Sequence, residues 1–446
     1  MIDYLYRFWY WITGLSIKAV LGSVFVLVIG SGIVLYGVNL SSDKVVVEGV
    51  GGEVRESDRY IKGQVWDSNE LVIWHVGRGE QLEPLLASND DIVPNFKIKS
   101  VSFDRYEDVE GALNEVANSG NGPDLVIGDV GLSKFIDNGL LVKYNDGVFG
   151  VKLDRDDYSD VVFRSSAVKN DFVGVPLSIE SSLFFYNKEI FSVKAPSSVE
   201  EMAEWYIKNY KSYGGLCVDK LPRDGQALLS NLGGVPWVNV TGEPESIGES
   251  IVKGDFLLNF ARLASVGDGK FINSVGDGKC LKGFTDGKYG FLLADSRVGA
   301  KLDGEKFGVG LFPSGREKGS GFVSSSVVFV GQGAVSTDRA KAVGAVLGYL
   351  NSLDYQVRVG DSLGYIPSRS DAIKELSFGN NMLEQVIGNG LALERDIVKK
   401  SGWEEAAAKI FEINAMKRAD EREKEFGKLR DTYKKRLESY LKSKGK

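Results

Sequence analysis

The sequence predicts an α/β protein, with parallel sheets and flanking helices, preceded by one helix long enough to span a membrane. Three observations carry this. From residue 70 onward, continuous apolar runs of strand length alternate with amphipathic stretches of helical period. Glycine, at 54 residues against 10 prolines, supplies most of the turns between them. Ahead of them, residues 19–42 hold 24 consecutive positions without a charge, a stretch that occurs once and so excludes a polytopic transporter.

The N-terminal elements come first. AVLGSVFVLVIGSGIVLYGVNLSS (19–42) would be a helix of ~36 Å, enough to cross a ~30 Å hydrocarbon core. Tyr4, Tyr6, Phe8, Trp9, Tyr10 and Trp11 precede it, rings suited to the headgroup level, so residues 1–18 read as a cytoplasmic or interfacial aromatic segment. Arg7 and Lys18 lie before the span, while Asp43, Glu48 and Glu53 follow it, which places the bulk of the chain outside the cell. A cleavable signal peptide competes with this reading, but the apolar run is long and its exit lacks an A-x-A-like site, so an uncleaved anchor is preferred. Residues 43–69 read as a tether.

In the body, LVIWHV (71–76) is a strand buried on both faces. Apolar residues at 109, 112, 113 and 116 predict a helix from Tyr106, stopped by the turn Gly120–Asp124, and LVIGDV (125–130) is the next strand.

Composition narrows the function. A net charge of −7 disfavours nucleic-acid binding. Residues 417–446 are the exception, with 12 Lys/Arg against 6 Asp/Glu. One histidine, His75, nearly excludes a histidine zinc site or a Ser-His-Asp triad, and it reads as a strand-end residue without chemistry. Cys217 and Cys280 are expected as two unpaired buried thiols, with one disulfide as the alternative in an oxidising compartment. No metal, cofactor or catalytic group is expected: Glu180 with Asp129 has no spacing that marks a glycosidase pair, and Gly308–Gly310 and Gly331–Gly333 lack the lysine of a phosphate cradle.

Eight segments in order resemble the extracellular solute-binding proteins of ABC importers, the maltose-binding-protein-like group, over roughly 71–410. They are LVIWHVGRGE, GNGPDLVIGDV, FIDNGLLVKYND, VGVPLSIESSLFFYNKEIF, APSSVEEMAEWY, LLSNLGGVPWVN, FTDGKYGFLLADSRVGAKL and, after FGVGLFPSG, the closing run to SLGYIPSRSDA. The resemblance implies the two-lobed periplasmic-binding-protein fold of type II. Lobe 1 is expected at 70–178 and 300–350, lobe 2 mostly at 179–299 and 351–410, and a charged helix at 411–446. It implies no enzyme but a small-molecule solute held in an interlobe cleft by hinge closure, and an ABC permease as partner in the membrane that 19–42 enters.

Ligands of open parallel sheets bind beyond the carboxyl ends of the strands. That rule selects Arg78, Glu80, Asp129 and Glu180 in the first half, and Arg223, Asp224 and Arg297 in the second; Trp237, just past Gly233-Gly234, is the nearest candidate for a stacking ring, with packing in the second lobe as the competing reading. By resemblance Glu180 falls where sugar-binding members keep an acidic contact, and Arg297 where they often have an aromatic ring. No Trp or Tyr falls on a confidently aligned site position. Arg78, Arg223 and Arg297 favour an anionic solute; alternatively they make interlobe ion pairs with Glu80, Asp129, Glu180 or Asp295. The solute is therefore expected to be a carbohydrate or a polar or anionic metabolite. A scaffold or accessory subunit that keeps the fold without transport is the alternative. The tail stripe Met416, Ala419, Phe426, Leu429, Tyr433, Leu437, Tyr440 suits packing on the first lobe, pairing with itself or a partner, or a basic contact with the membrane surface.

Overall fold

The computed structural model describes residues 67–116, 122–191, 194–219, 278–315, 319–378, 380–392 and 418–443, with 271–273 and a few single positions. The segment 19–42, most of the tether, and Arg223, Asp224 and Trp237 lie outside the described residues. Among the described residues no helix is long and apolar enough to cross a membrane.

Strand β1 (Glu70–Val76) pairs in parallel with β2 (Lys97–Phe103) on one side and β3 (Leu125–Gly128) on the other. Helix α1 (Gly79–Ala87) follows β1, and α2 (Tyr106–Val116) follows β2. Both faces of β1 are covered, which explains its unbroken apolar run: Leu71 and Ile73 enter one core, Val72 and Trp74 another on the opposite face. The predicted stripe of α2 is the buried one, Val109, Ala112, Leu113 and Val116.

One strand belongs to both halves of the molecule. Strand β4 (Val175–Asn187) pairs through Val175–Ser181 with β8 (Phe322–Gly331), and through Ser182–Tyr186 with β6 (Tyr289–Asp295). Its end also pairs with β7 (Phe307–Gly310), and β6 pairs in parallel with β5 (Gly214–Val218). The result is a sheet path β2-β1-β3-β8-β4-β6-β5. The sheets are mixed, not purely parallel as expected: β8 runs antiparallel to β3 and β4, and β4 antiparallel to β6. Strands that cross from one half to the other meet their neighbours head to tail, whereas strands joined through helices stay parallel.

The lobe boundaries also differ from those expected. Strand β7, expected with lobe 1, pairs with the second half of β4. Helix α3 (Val199–Asn209) covers the second sheet, with Met202 and Tyr206 buried in its core. The helix α6 (Leu353–Leu363), expected with lobe 2, sends Tyr355 and Val359 into the core of the first sheet. Between them, helix α5 (Thr337–Leu350) carries Arg339, which pairs with Asp124 and bonds the carbonyls of Ser68 (3.1 Å) and Glu70. Asp124 in turn accepts the Val72 amide at 2.7 Å. These bonds fix the start of β1.

The cysteines are joined, contrary to the expectation of free thiols. Cys217 lies on β5 and Cys280 in the first turn of α4 (Lys279–Thr285), with Cα atoms 5.5 Å apart, inside the usual span of ~4.4–6.8 Å. The tail forms α7 (Ala419–Ser443). Phe426 and Tyr433 are buried in the same core as Ile413 and the second sheet, with Met416 and Leu429 packed beside them. That part of the stripe is thus packed within this chain, in a core shared with residues such as Val162 and Val323 as well as the second sheet.

Candidate functional site

The site begins where β1 ends. Gly77 has φ +60°, a left-handed turn that strains any residue with a Cβ, and it swings Arg78 back under the sheet. His75 holds this turn. Its Nδ1 accepts the Arg78 amide at 3.0 Å, so the neutral ring carries its proton on Nε2 and donates to Ser100 Oγ at 2.7 Å. Burial first, and then the Arg78 charge, lower the His75 pKa to about 4. The one histidine is thus neutral and structural, fully buried in mid-sheet.

Arg78 is 4% exposed. It donates to Ser326 Oγ on β8 at 2.6 Å, pairs with Glu180 on β4, and lies with Cζ 5.2 Å from the Tyr365 ring centroid. Glu180 stands two residues before the position where β4 takes up its new partner, so the pair joins the first sheet to the crossing strand.

The second half contributes the end of β6. Asp295 caps the turn Ser296–Lys301 by accepting the Arg297 amide at 2.9 Å, and binds the Arg297 guanidinium through Nε at 3.0 Å and Nη2 at 3.1 Å. This bonding raises the Arg297 pKa, so the group is always charged. Its Cζ lies 5.5 Å from the same Tyr365 ring. Tyr365 is delivered by Gly364, the C-cap of α6, with φ +73°. A Cβ there would lie 2.7 Å from Arg297 Cα, so only glycine allows this approach of α6 to the second half.

These groups line one cavity of about 220 Å³. Its walls are Val76, Gly77 and Arg78; Ile179 and Glu180; Asp295, Ser296 and Arg297; and Tyr106 and Tyr365. Both cations are matched by carboxylates, and Tyr365 sits against both guanidinium groups.

Of the sequence-predicted residues, Arg78, Glu180 and Arg297 meet here. Glu80 is exposed on the first turn of α1, away from the walls. Asp129 caps the short turn after β3, accepting the Gly131 amide at 2.9 Å, and is also off the walls. Arg223, Asp224 and Trp237 are outside the described residues. Arg78 and Arg297 are both ion-paired, but Arg297 with Asp295 on its own turn, so the expected pairing across the lobes is not what Arg297 makes. Two rings at positions the alignment did not select, Tyr365 and Tyr106, line the cavity. Tyr365 was legible in the run SLGYIPSRSDA, but there it marked the fold; Tyr106 carried no signal beyond starting a helix. Among the described residues no group of His, Cys, Asp and Glu is placed to hold a metal.

Two sheets sharing a crossing strand, with a polar cavity at the strand ends of both, define a two-lobed binding fold. The chain belongs to the bacterial extracellular solute-binding protein family, whose model matches residues 87–381. A curated relative, the maltotriose-binding protein of Pyrococcus abyssi, is 25% identical over 152 residues; the match spans 33% of this chain and 33% of that relative. Among solved structures, the maltose-bound MalE3 of T. maritima is 16% identical, covers 82% of this chain and 99% of its own, and has a TM-score of 0.62. UgpB of Mycobacterium tuberculosis, in complex with glycerophosphocholine, is 18% identical and covers 85% and 100%, with a TM-score of 0.62. The GacH receptor of Streptomyces glaucescens is 18% identical and covers 84% and 99%, with a TM-score of 0.63.

Proposed function

We propose that this protein captures a small polar solute, of the carbohydrate or polar-metabolite class, outside the cytoplasm and presents it to an ABC permease in the membrane to which residues 19–42 tether it. One observation carries the reading: Arg78 and Glu180 from one half, and Asp295 and Arg297 from the other, line a single cavity at the strand ends. A solute bound to both sets favours the closed arrangement of the lobes, and binding acts as a population shift, not catalysis. Membership of the solute-binding family supports the class, and the relatives named above are described as binding maltotriose, maltose and glycerophosphocholine. The scaffold reading loses one of its motives, because Phe426 and Tyr433 of the tail are occupied by the chain itself.

The test is a thermal-shift screen of the full-length chain in mild detergent against sugars, polyols, organic acids and amino acids. A solute at 100 times its Kd adds ~2.7 kcal/mol of stability. If no class shifts the melt, solute capture is the wrong reading. Mass spectrometry of the native N-terminus tests the tether separately: a chain starting beyond residue 36 has lost it.

A further inference from the structure

We infer that the cavity selects an electrically neutral, hydroxyl-rich solute no larger than one sugar ring, and discriminates against both anions and longer oligosaccharides. This rests on the solute-binding reading above and narrows it.

Charge gives the first half of the inference. Two arginines on a cavity wall invite an anion when they stand unpartnered. Here each already has its carboxylate: Glu180 for Arg78, and Asp295, in a two-point contact, for Arg297. The four charges cancel. A guest of either charge finds no unmatched counter-charge here and would give up its hydration on entry. A hydroxyl both donates and accepts, and each arginine–carboxylate pair sets donors beside an acceptor. Two neighbouring hydroxyls match one such pair, and the cavity is lined by two pairs, with Ser296 also on its wall.

Size gives the second half. The cavity of about 220 Å³ is smaller than the ~300–1,000 Å³ of most ligand pockets, and an apolar cavity of ~150 Å³ holds a benzene molecule. A guest somewhat larger than benzene is a short polyol or one sugar ring. Longer saccharides gain affinity by laying successive rings on aromatic faces. Tyr365 is already engaged by Arg78 and Arg297, so a second ring of the guest gains no such platform from it.

The experiment is titration calorimetry on the full-length chain in detergent. The neutral probes are glycerol, myo-inositol, D-xylose, L-arabinose, D-glucose, D-galactose and D-mannose. The anionic counterparts are glycerol 3-phosphate, D-glucuronate and D-glucose 6-phosphate, and the length series is maltose and maltotriose. The expected result is that a neutral single-ring or shorter probe binds best, at least about tenfold tighter than its anionic counterpart and no weaker than the longer saccharides. In Arg297→Gln and Asp295→Asn chains that keep the wild-type circular dichroism, that probe weakens about 10- to 100-fold, the range for hydrogen bonds to charged groups. An anionic probe that binds tighter than its neutral counterpart, or affinity that rises about tenfold with each added ring, overturns the inference and leaves the solute-binding reading standing. Silence from every probe also overturns it. The broader reading falls only if the wider screen with amino acids and organic acids is silent too.

Discussion

Replacing both Cys217 and Cys280 by alanine opens the bond that joins β5 to α4. The bond closes a loop of 63 residues. In the chain-entropy model that closure removes ~14 cal/mol/K from the unfolded ensemble, or ~4 kcal/mol at 25 °C. Both residues are fully buried in the core of the second sheet, so the substitution also removes two packed sulfur atoms there. Guanidinium unfolding followed by tryptophan fluorescence measures it, with Trp205 packed against Phe291 of that core as a reporter. The midpoint should fall by an amount worth ~4 kcal/mol, and the slope should rise because the opened chain exposes more surface on unfolding. A double variant within ~1 kcal/mol of the parent, with an unchanged slope, would refute the reasoning.

Three further outcomes follow from the described contacts. Arg339→Met leaves the Asp124 carboxylate buried without its cation and should cost ~3–5 kcal/mol in the same unfolding assay; a loss under ~1 would mean the pair is dispensable. Gly364→Ala forces a left-handed backbone on alanine and drives its Cβ against Arg297 Cα at 2.7 Å, so a loss of at least ~2 kcal/mol is expected, read as a lowered melting temperature. His75 titrates at 6.5 unfolded and about 4 folded, so its neutral form contributes stability that is complete above pH 6.5 and lost as pH falls through 4, a span worth ~3 kcal/mol. The stability–pH curve of a His75→Asn chain should therefore be flatter between pH 6.5 and 4, and equal slopes in the two chains would remove His75 as the cause.

The parts of the fold that depend on local pattern were readable. The apolar runs of β1 and β3 and the stripe of α2 are properties of adjacent residues, and their burial follows from period alone. The mixed pairing was not readable, because the direction of β8 beside β3 is set by a strand 200 residues away. The same holds for the site. Arg78, Glu180 and Arg297 could be chosen because strand ends gather ligands. That Arg78 would reach Ser326 across 248 residues, or share Tyr365 with Arg297, is a matter of tertiary distance. Tyr365 shows the limit well. Its neighbours Gly364 and Pro367 advertise a turn, and only the approach of the Arg297 backbone reveals that the turn aims a ring into the cavity. The cysteines likewise sit 63 residues apart with nothing local to signal that β5 and α4 bring them together.

The bonds from Arg339 and Asp124 to Ser68, Glu70 and Val72 have a mechanical meaning. They grip the leading edge of β1, a strand of seven residues flanked by neighbours on both sides. Tension arriving from residues ahead of it would pull along the strand axis, so all rungs of both ladders would bear the load together in shear. A strand held in that geometry resists a tug far better than one that can be peeled away rung by rung.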